Sequence, residues 1–253
     1  MHFSLAVISE INDPLHIENL LVPYHAGNEF SLPREYLEFE DRTEEVADQY
    51  ENGHNDWVMT DKGELLYIHS HQFKEGVPEA YNIVTLRHYD RYPTLEDFGT
   101  EYCHYNIHPD TGRIGVFCNP QGIWDWYVIG GRWAEMLILK SSGSRVNSAR
   151  ICDVDWDAMA AEEAESARQI YRNAHTPDAN MEPSYFGIRP GETEDQFAQR
   201  RSLFHTYAIL MGDTWIDNED GKLTGDEWNT HFKALFIDTV DPKLYITIVD
   251  CHM

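Results

Sequence analysis

Ten residues constrain this chain more than any others: Trp124-Asp125-Trp126-Tyr127-Val128-Ile129-Gly130-Gly131-Arg132-Trp133. The run sets three tryptophans, a tyrosine, an acid and an arginine around a glycine pair. Large aromatics supply rigid buried area, paired glycines let a backbone turn or come close to another, and arginine is a fixed planar donor. If Gly130-Gly131 forms a two-residue hairpin turn, Ile129 faces Arg132, Tyr127 faces Ala134 and Trp126 faces Glu135. One face then carries Trp124, Trp126, Val128 and Trp133, and the other Asp125, Tyr127, Ile129 and Arg132. A short helix over Trp124–Ile129 is the competing local form.

Two uses of the stretch stand side by side. Trp126, Tyr127 and Trp133 can stack a nucleobase or sugar while Arg132 binds phosphate, with Gly130 and Gly131 giving donors or room. Alternatively the stretch is architectural, its tryptophans filling the core and Asp125 paired to Arg132.

The rest of the composition narrows the partners. Nineteen Lys and Arg against forty-four Asp and Glu give a net charge of −25. Such a surface repels nucleic-acid phosphates, so DNA or RNA binding by simple charge attraction is disfavoured. A basic protein partner, a cation or plain solubility all fit. With 42% hydrophobic residues, the 253-residue chain has ample material for a core. Cys103, Cys118, Cys152 and Cys251 are far apart without C-x-x-C spacing, and Phe3–Ile8 is a short apolar run without a basic leader. No apolar run approaches the roughly 20 residues of a membrane span. The expectation is a cytoplasmic protein with reduced thiols and no membrane contact.

Phe3–Ile8 and Leu244–Val249 read as strands buried on both faces, neighbours in one sheet. Pro14 opens a helix after Asn12 or Asp13 that ends before Pro23. From Glu35 to Glu51 there are eight acids and one base, Arg42, which reads as a solvated face or an acidic recognition surface. Further strands are expected at 65–69, 81–88, 114–117 and 205–211. Helices are expected at 94–102, 153–172, 194–203 and from Thr224 through Phe236, with a Pro- and Gly-rich loop at 173–192. The pattern predicts an α+β fold, a mainly antiparallel sheet with flanking helices, in one domain over 1–253. Residues 155–203 form a helical insertion or lid within it.

Other clusters carry chemistry more faintly. His69 and His71 share a face if they lie on a strand, a spacing open to a metal, although no H-E-x-x-H helix is present. Asp153, Asp155 and Asp157 converge on one face if extended, and are cap and dipole residues if they start a helix. The cap is the better fit. Asp217-Asn218-Glu219-Asp220-Gly221 resembles a calcium loop but fails on ligand count, since Ile216 would hold the first position. Asp250, Cys251 and His252 sit at a strand end, where a base or nucleophile is well placed. Cys251 and His252 must point to opposite faces.

Several blocks together resemble a widespread family of uncharacterised tailed-phage and prophage proteins. They are Met1–Ile8, Leu21-Val22-Pro23-Tyr24, Glu35–Phe39, Asn119-Pro120, Trp124–Tyr127, Ile129–Trp133 and Val249–His252, about a third of the chain. The resemblance implies a phage accessory protein in the host cytoplasm and carries no activity with it. The first functional expectation is therefore a non-enzymatic protein that engages a host component, such as a defence system. It would bind a partner protein or sequester a small nucleotide-like ligand, with His252 joining the residues around Arg132. The alternative is a hydrolase or transferase acting on a nucleotide or modified base, with Arg132 on phosphate and Asp250 or His252 as acid or base. No cofactor is indicated by any motif.

Overall fold

The structure is a computed structural model and describes residues 1–176, 181–219 and 222–253. Along the chain the first elements are β1 (His2–Ser9), α1 (Pro14–Leu21), β2 (Glu38–Asp41), α2 (Thr43–Asn52), β3 (His54–Met59), β4 (Leu65–Tyr67) and β5 (Asn82–Arg87). Then come α3 (His88–Arg91), α4 (Leu95–Asp97), β6 (Asn106–Ile107), β7 (Ile114–Cys118), β8 (Trp126–Ile129), β9 (Leu137–Ile138) and β10 (Arg145–Val146). The last are β11 (Ser148–Arg150), α5 (Trp156–Ala174), α6 (Glu194–Arg201), β12 (Ala208–Met211), β13 (Thr214–Asp217), α7 (Gly225–Phe232) and β14 (Tyr245–His252). The fold is α+β and mostly antiparallel. Two compact units make up the chain: Met1–His25 with Gln121–Met253, and Ala26–Pro120.

The first unit is built on a sheet in the order β11-β14-β1-β12-β13, with β8 also paired to β14. β1 and β14 run antiparallel from His2 opposite His252 to Ser9 opposite Tyr245. On its other side β14 takes β11 along Tyr245–Thr247 and β8 along Val249–His252, end to end. β12 lies parallel to β1, and β13 follows antiparallel. The two apolar strands expected to be interior neighbours are so, since each is hydrogen-bonded on both edges.

Strand alternation sends the two sets of side chains to separate cores. Phe3, Leu5, Val7, Val249 and Cys251 pack with Ile17 and Leu21 of α1 and with Trp124. Ala6, Ile8, Ile246 and Ile248 pack on the other face with Met159 of α5 and Trp228 and Phe232 of α7. On that second face, the next positions toward one end are Ser4 and His2, opposite Asp250 and His252. The apolar face therefore becomes polar at the register position where β8 joins.

The helices start where local chemistry dictates. Asp13 accepts from the Leu15 amide with Pro14 at the first helical position. Thr193 with Gln196 and Thr224 with Glu227 form reciprocal capping boxes for α6 and α7. Asp155 caps α5 by accepting from the Ala158 amide at 3.0 Å, and Asp153 ends a short turn before it. The three alternate aspartates thus share no strand face. The region 155–203 carries a small core of its own, Ala167, Ala174, Ile188, Phe197 and Ala198 between α5 and α6.

The second unit holds two three-stranded sheets, β2-β7-β6 and β4-β3-β5. Val46, Tyr92, Phe98 and Ile114 form its core. β4 ends at Tyr67, so His69 falls in a turn and His71 opens another turn. They do not share the strand face that would make them a ligand pair. Among the described residues no group of three or more His, Cys, Asp or Glu could hold a metal ion. The calcium-loop resemblance at 217–221 lies partly outside the described residues, at Asp220 and Gly221.

Candidate functional site

Gly130 and Gly131 both have positive φ, 81° and 53°, but they do not make a hairpin. Gly130 has ψ −73°, a γ-turn conformation that is strained for residues with a Cβ. Gly131–Trp133 then forms a single helical turn that packs against β14. β8 pairs with β14 and not with the residues that follow it. The expected pairing of Ile129 with Arg132 is therefore replaced by Ile129 with Val249 and Trp126 with His252. The physical reason lies at Gly130, whose φ of 81° and ψ of −73° make a γ-turn and do not fit the first position of a two-residue hairpin turn.

This register rearranges the expected site. Trp126 lies on the same face as His252, while Tyr127 points to the opposite core, edge-on to Trp124 at 5.2 Å. Asp125 does not meet Arg132. Its Oδ1 accepts from His252 Nδ1 at 2.8 Å, and that bond holds the carboxyl below its ordinary value. The Arg132 side chain is exposed and forms no ion pair among the described residues. Its backbone amide instead donates to Asp250 Oδ2 at 3.0 Å.

Asp250 is the buried centre of the arrangement, 2% exposed. Its Oδ1 accepts from His2 Nδ1 at 2.8 Å. Burial pushes the carboxyl up, but the His2 bond, the Arg132 amide and the charges of both residues outweigh it, leaving the carboxyl below its ordinary value. The His2 ring meets Trp126 and His252 edge-on, with centroids 5.2 and 5.0 Å away, and Trp126 stacks on His252. His252 Nε2 lies 3.4 Å from the Met1 nitrogen. Cys251, on the other face, is fully buried, and burial pushes its thiol up to about 12. Burial thus favours the protonated thiol over the nucleophilic thiolate.

His2 and Ser4 also border a cavity of about 770 Å³ inside the first unit. Its other walls are α5, the segment Arg201–Tyr207, residues around β9 and β10, and the side of α7. Of the residues expected to surround a ligand, Trp133 lines this cavity, while Arg132, Trp126, Tyr127 and His252 do not. Trp156 and Phe204 meet edge-on at 4.9 Å in its wall, and Lys233 sits 5.3 Å over the Trp156 ring.

Arg145 and Lys233 are already paired, with Glu162 and Asp238 respectively. Arg201 lines the cavity, is exposed, and forms no ion pair among the described residues. His205 is held neutral, since burial lowers its pKa. Its Nδ1–H donates to the Leu203 carbonyl at 2.9 Å, leaving Nε2 as an acceptor. Asn218 Oδ1, also at the wall, is buried without a hydrogen-bond partner among the described residues. A buried acceptor left unmatched costs about 1–3 kcal/mol, which a ligand donor would recover.

The sequence reading missed Arg201, Asn218 and His2 as site residues. Their signal was long-range: Ser4, His2 and Asp250 become one cluster only through the β1–β14 register. No family model matches the chain, and no curated protein or solved structure does either. No helix among the described residues is long and apolar enough to cross a membrane.

Proposed function

We propose that the protein binds a small nucleotide-like anion in the cavity of its first unit, acting as a phage accessory protein on a host component. The observation that carries the reading is the composition of one wall set. In a chain of net charge −25, this cavity's lining brings Arg201, which forms no ion pair among the described residues, together with Trp133, Trp156 and Phe204. Aromatic faces accept a base, a guanidinium accepts a phosphate, and Asn218 Oδ1 and His205 Nε2 wait for donors. The phage role rests on the sequence resemblance alone, and the ligand class rests on the cavity.

Binding only to the folded state raises stability by about 2.7 kcal/mol at a ligand concentration 100-fold above Kd. Thermal unfolding of the parent with AMP, cyclic AMP and dinucleotides should therefore show an upward shift for at least one of them. Arg201→Ala should shrink that shift, as a loss of affinity of about tenfold or more requires. A parent whose Tm is unmoved by every nucleotide overturns the reading.

A further inference from the structure

We propose that His2 is a catalytic base that hydrolyses a phosphodiester held in this cavity, an inference that rests on the nucleotide-binding reading above. The geometry begins at Asp250. Both of its oxygens are fixed, Oδ1 by His2 Nδ1–H and Oδ2 by the Arg132 amide, and the side chain is almost wholly buried. In the neutral imidazole, donation from Nδ1–H to this carboxylate leaves the lone pair on Nε2. His2 is also among the residues that line the 770 Å³ cavity. An oriented imidazole opening on a ligand-sized space is the arrangement a general base requires.

His252 is not a second open base. Asp125 holds its Nδ1, Trp126 covers its face, and the Met1 nitrogen lies beside its Nε2. It packs against His2 and limits how that ring can turn.

Charge selects the ester. The cavity is bordered by Arg145, Arg201 and Lys233 against Asp157, Glu162 and Glu163. Two of the three cations are already in ion pairs, so Arg201 is left to meet the ligand. Among the described residues Arg201, Asp157 and Glu163 of this lining form no ion pair, so one cation stands beside two carboxylates and the doubly charged monoester is repelled more than the singly charged diester. In the step, water attacks phosphorus and gives a proton to His2 Nε2 as the new O–P bond forms. The P–O bond to the leaving alcohol breaks, and that oxygen takes the proton from the imidazolium. One water is consumed, a monoester and an alcohol are released, and His2 returns to its starting state.

The test uses the full chain with 2′,3′-cyclic AMP and bis(p-nitrophenyl) phosphate. The parent should open the cyclic nucleotide to a monophosphate and release p-nitrophenol. His2→Asn keeps an amide donor for Asp250 but has no Nε2, so it should bind cyclic AMP like the parent while turnover falls about 100-fold or more. Imidazole in solution should partly restore turnover to His2→Ala. If neither variant folds, the parent itself decides: diethyl pyrocarbonate modification of His2, mapped by mass spectrometry, should track loss of turnover and be blocked by cyclic AMP. A parent that binds cyclic AMP without product, or a His2→Asn variant as fast as the parent, overturns the catalytic role and leaves the binding reading standing. A parent that neither binds nor cleaves either probe overturns both.

Discussion

Gly131 lies directly against Asp250: a Cβ on this glycine would come within 2.5 Å of the Asp250 Oδ2 atom. The carboxylate that holds His2 therefore occupies space that no other residue at position 131 leaves free. Gly130 is equally confined, with the Asn147 side chain where its Cβ would stand. The glycine pair is thus a requirement of close approach as well as of positive φ.

Gly131→Val should destabilise the protein by about 1–3 kcal/mol from backbone strain alone, with further loss from displacing Asp250. Gly212 offers the comparison, since it also has positive φ, 62°, but nothing lies near its missing Cβ. Gly212→Asn, a residue that tolerates this conformation, should cost much less. Urea unfolding of the two variants beside the parent checks the difference; equal midpoints would mean that the contact with Asp250 carries no weight.

How much of this was legible in the sequence depends on range. The capping residues Asp13, Thr193 and Thr224 and the apolar strands β1 and β14 follow from local chemistry, and each was readable from a few neighbouring residues. β3 was not, because His54-Asn55-Asp56 opens it with three polar residues and hides its alternation. The site was half legible. Asp125, Trp126, Gly130, Gly131 and His252 do converge around Asp250, yet the partner that organises them, His2, is 248 residues away from it. The pairing of Asp125 with His252 and not Arg132 depends on which strand β8 chooses, and that choice is tertiary.

Trp228 is 2% exposed and donates from Nε1 to the Thr206 carbonyl at 2.7 Å in a buried position. Trp228→Phe removes the donor and leaves the carbonyl unmatched. The expected cost is about 1–3 kcal/mol before any cavity term. Because Thr206 also borders the ligand cavity, nucleotide affinity should weaken in parallel. Calorimetric unfolding of the variant, with and without nucleotide, measures both. An unchanged Tm would show that the bond contributes nothing net.

Acid should unfold the protein through carboxylates and neutral histidines together. Asp125, Asp250 and Glu192 lie below their ordinary values, and Asp41, hydrogen-bonded by Thr43 and Arg113, falls to about 2. Their folded forms bind protons less readily than the unfolded chain does. The stability they contribute is complete above the unfolded carboxylate range and is lost as pH falls below about 4. His88 and His205 are also lowered, by burial, from 6.5. Protonation of the unfolded chain therefore starts to erode stability below that pH, ahead of the carboxylates. Urea midpoints measured from pH 8 to pH 3 should fall in two stages; a curve flat from pH 7 to pH 5 would contradict the histidine part.

Arg132 and Arg201 make the sharpest contrast, because the sequence points to the first and the cavity to the second. The Arg132 guanidinium is exposed, forms no ion pair among the described residues, and does not border the cavity. What the fold needs from this residue is its backbone amide, which any residue but proline supplies to Asp250. Arg132→Ala should change stability by less than about 0.5 kcal/mol and leave nucleotide binding intact. Arg132→Pro would remove the amide donor and should cost about 1–3 kcal/mol or more, since it leaves a buried carboxylate oxygen without its partner. Arg201→Ala should do the reverse of Arg132→Ala: little change in unfolding, but at least a tenfold loss of affinity for an anionic nucleotide, about 1.4 kcal/mol. Titration calorimetry and thermal unfolding on the three variants separate the roles. Loss of binding in Arg132→Ala with none in Arg201→Ala would move the anion site out of the cavity and back to the tryptophan-rich stretch.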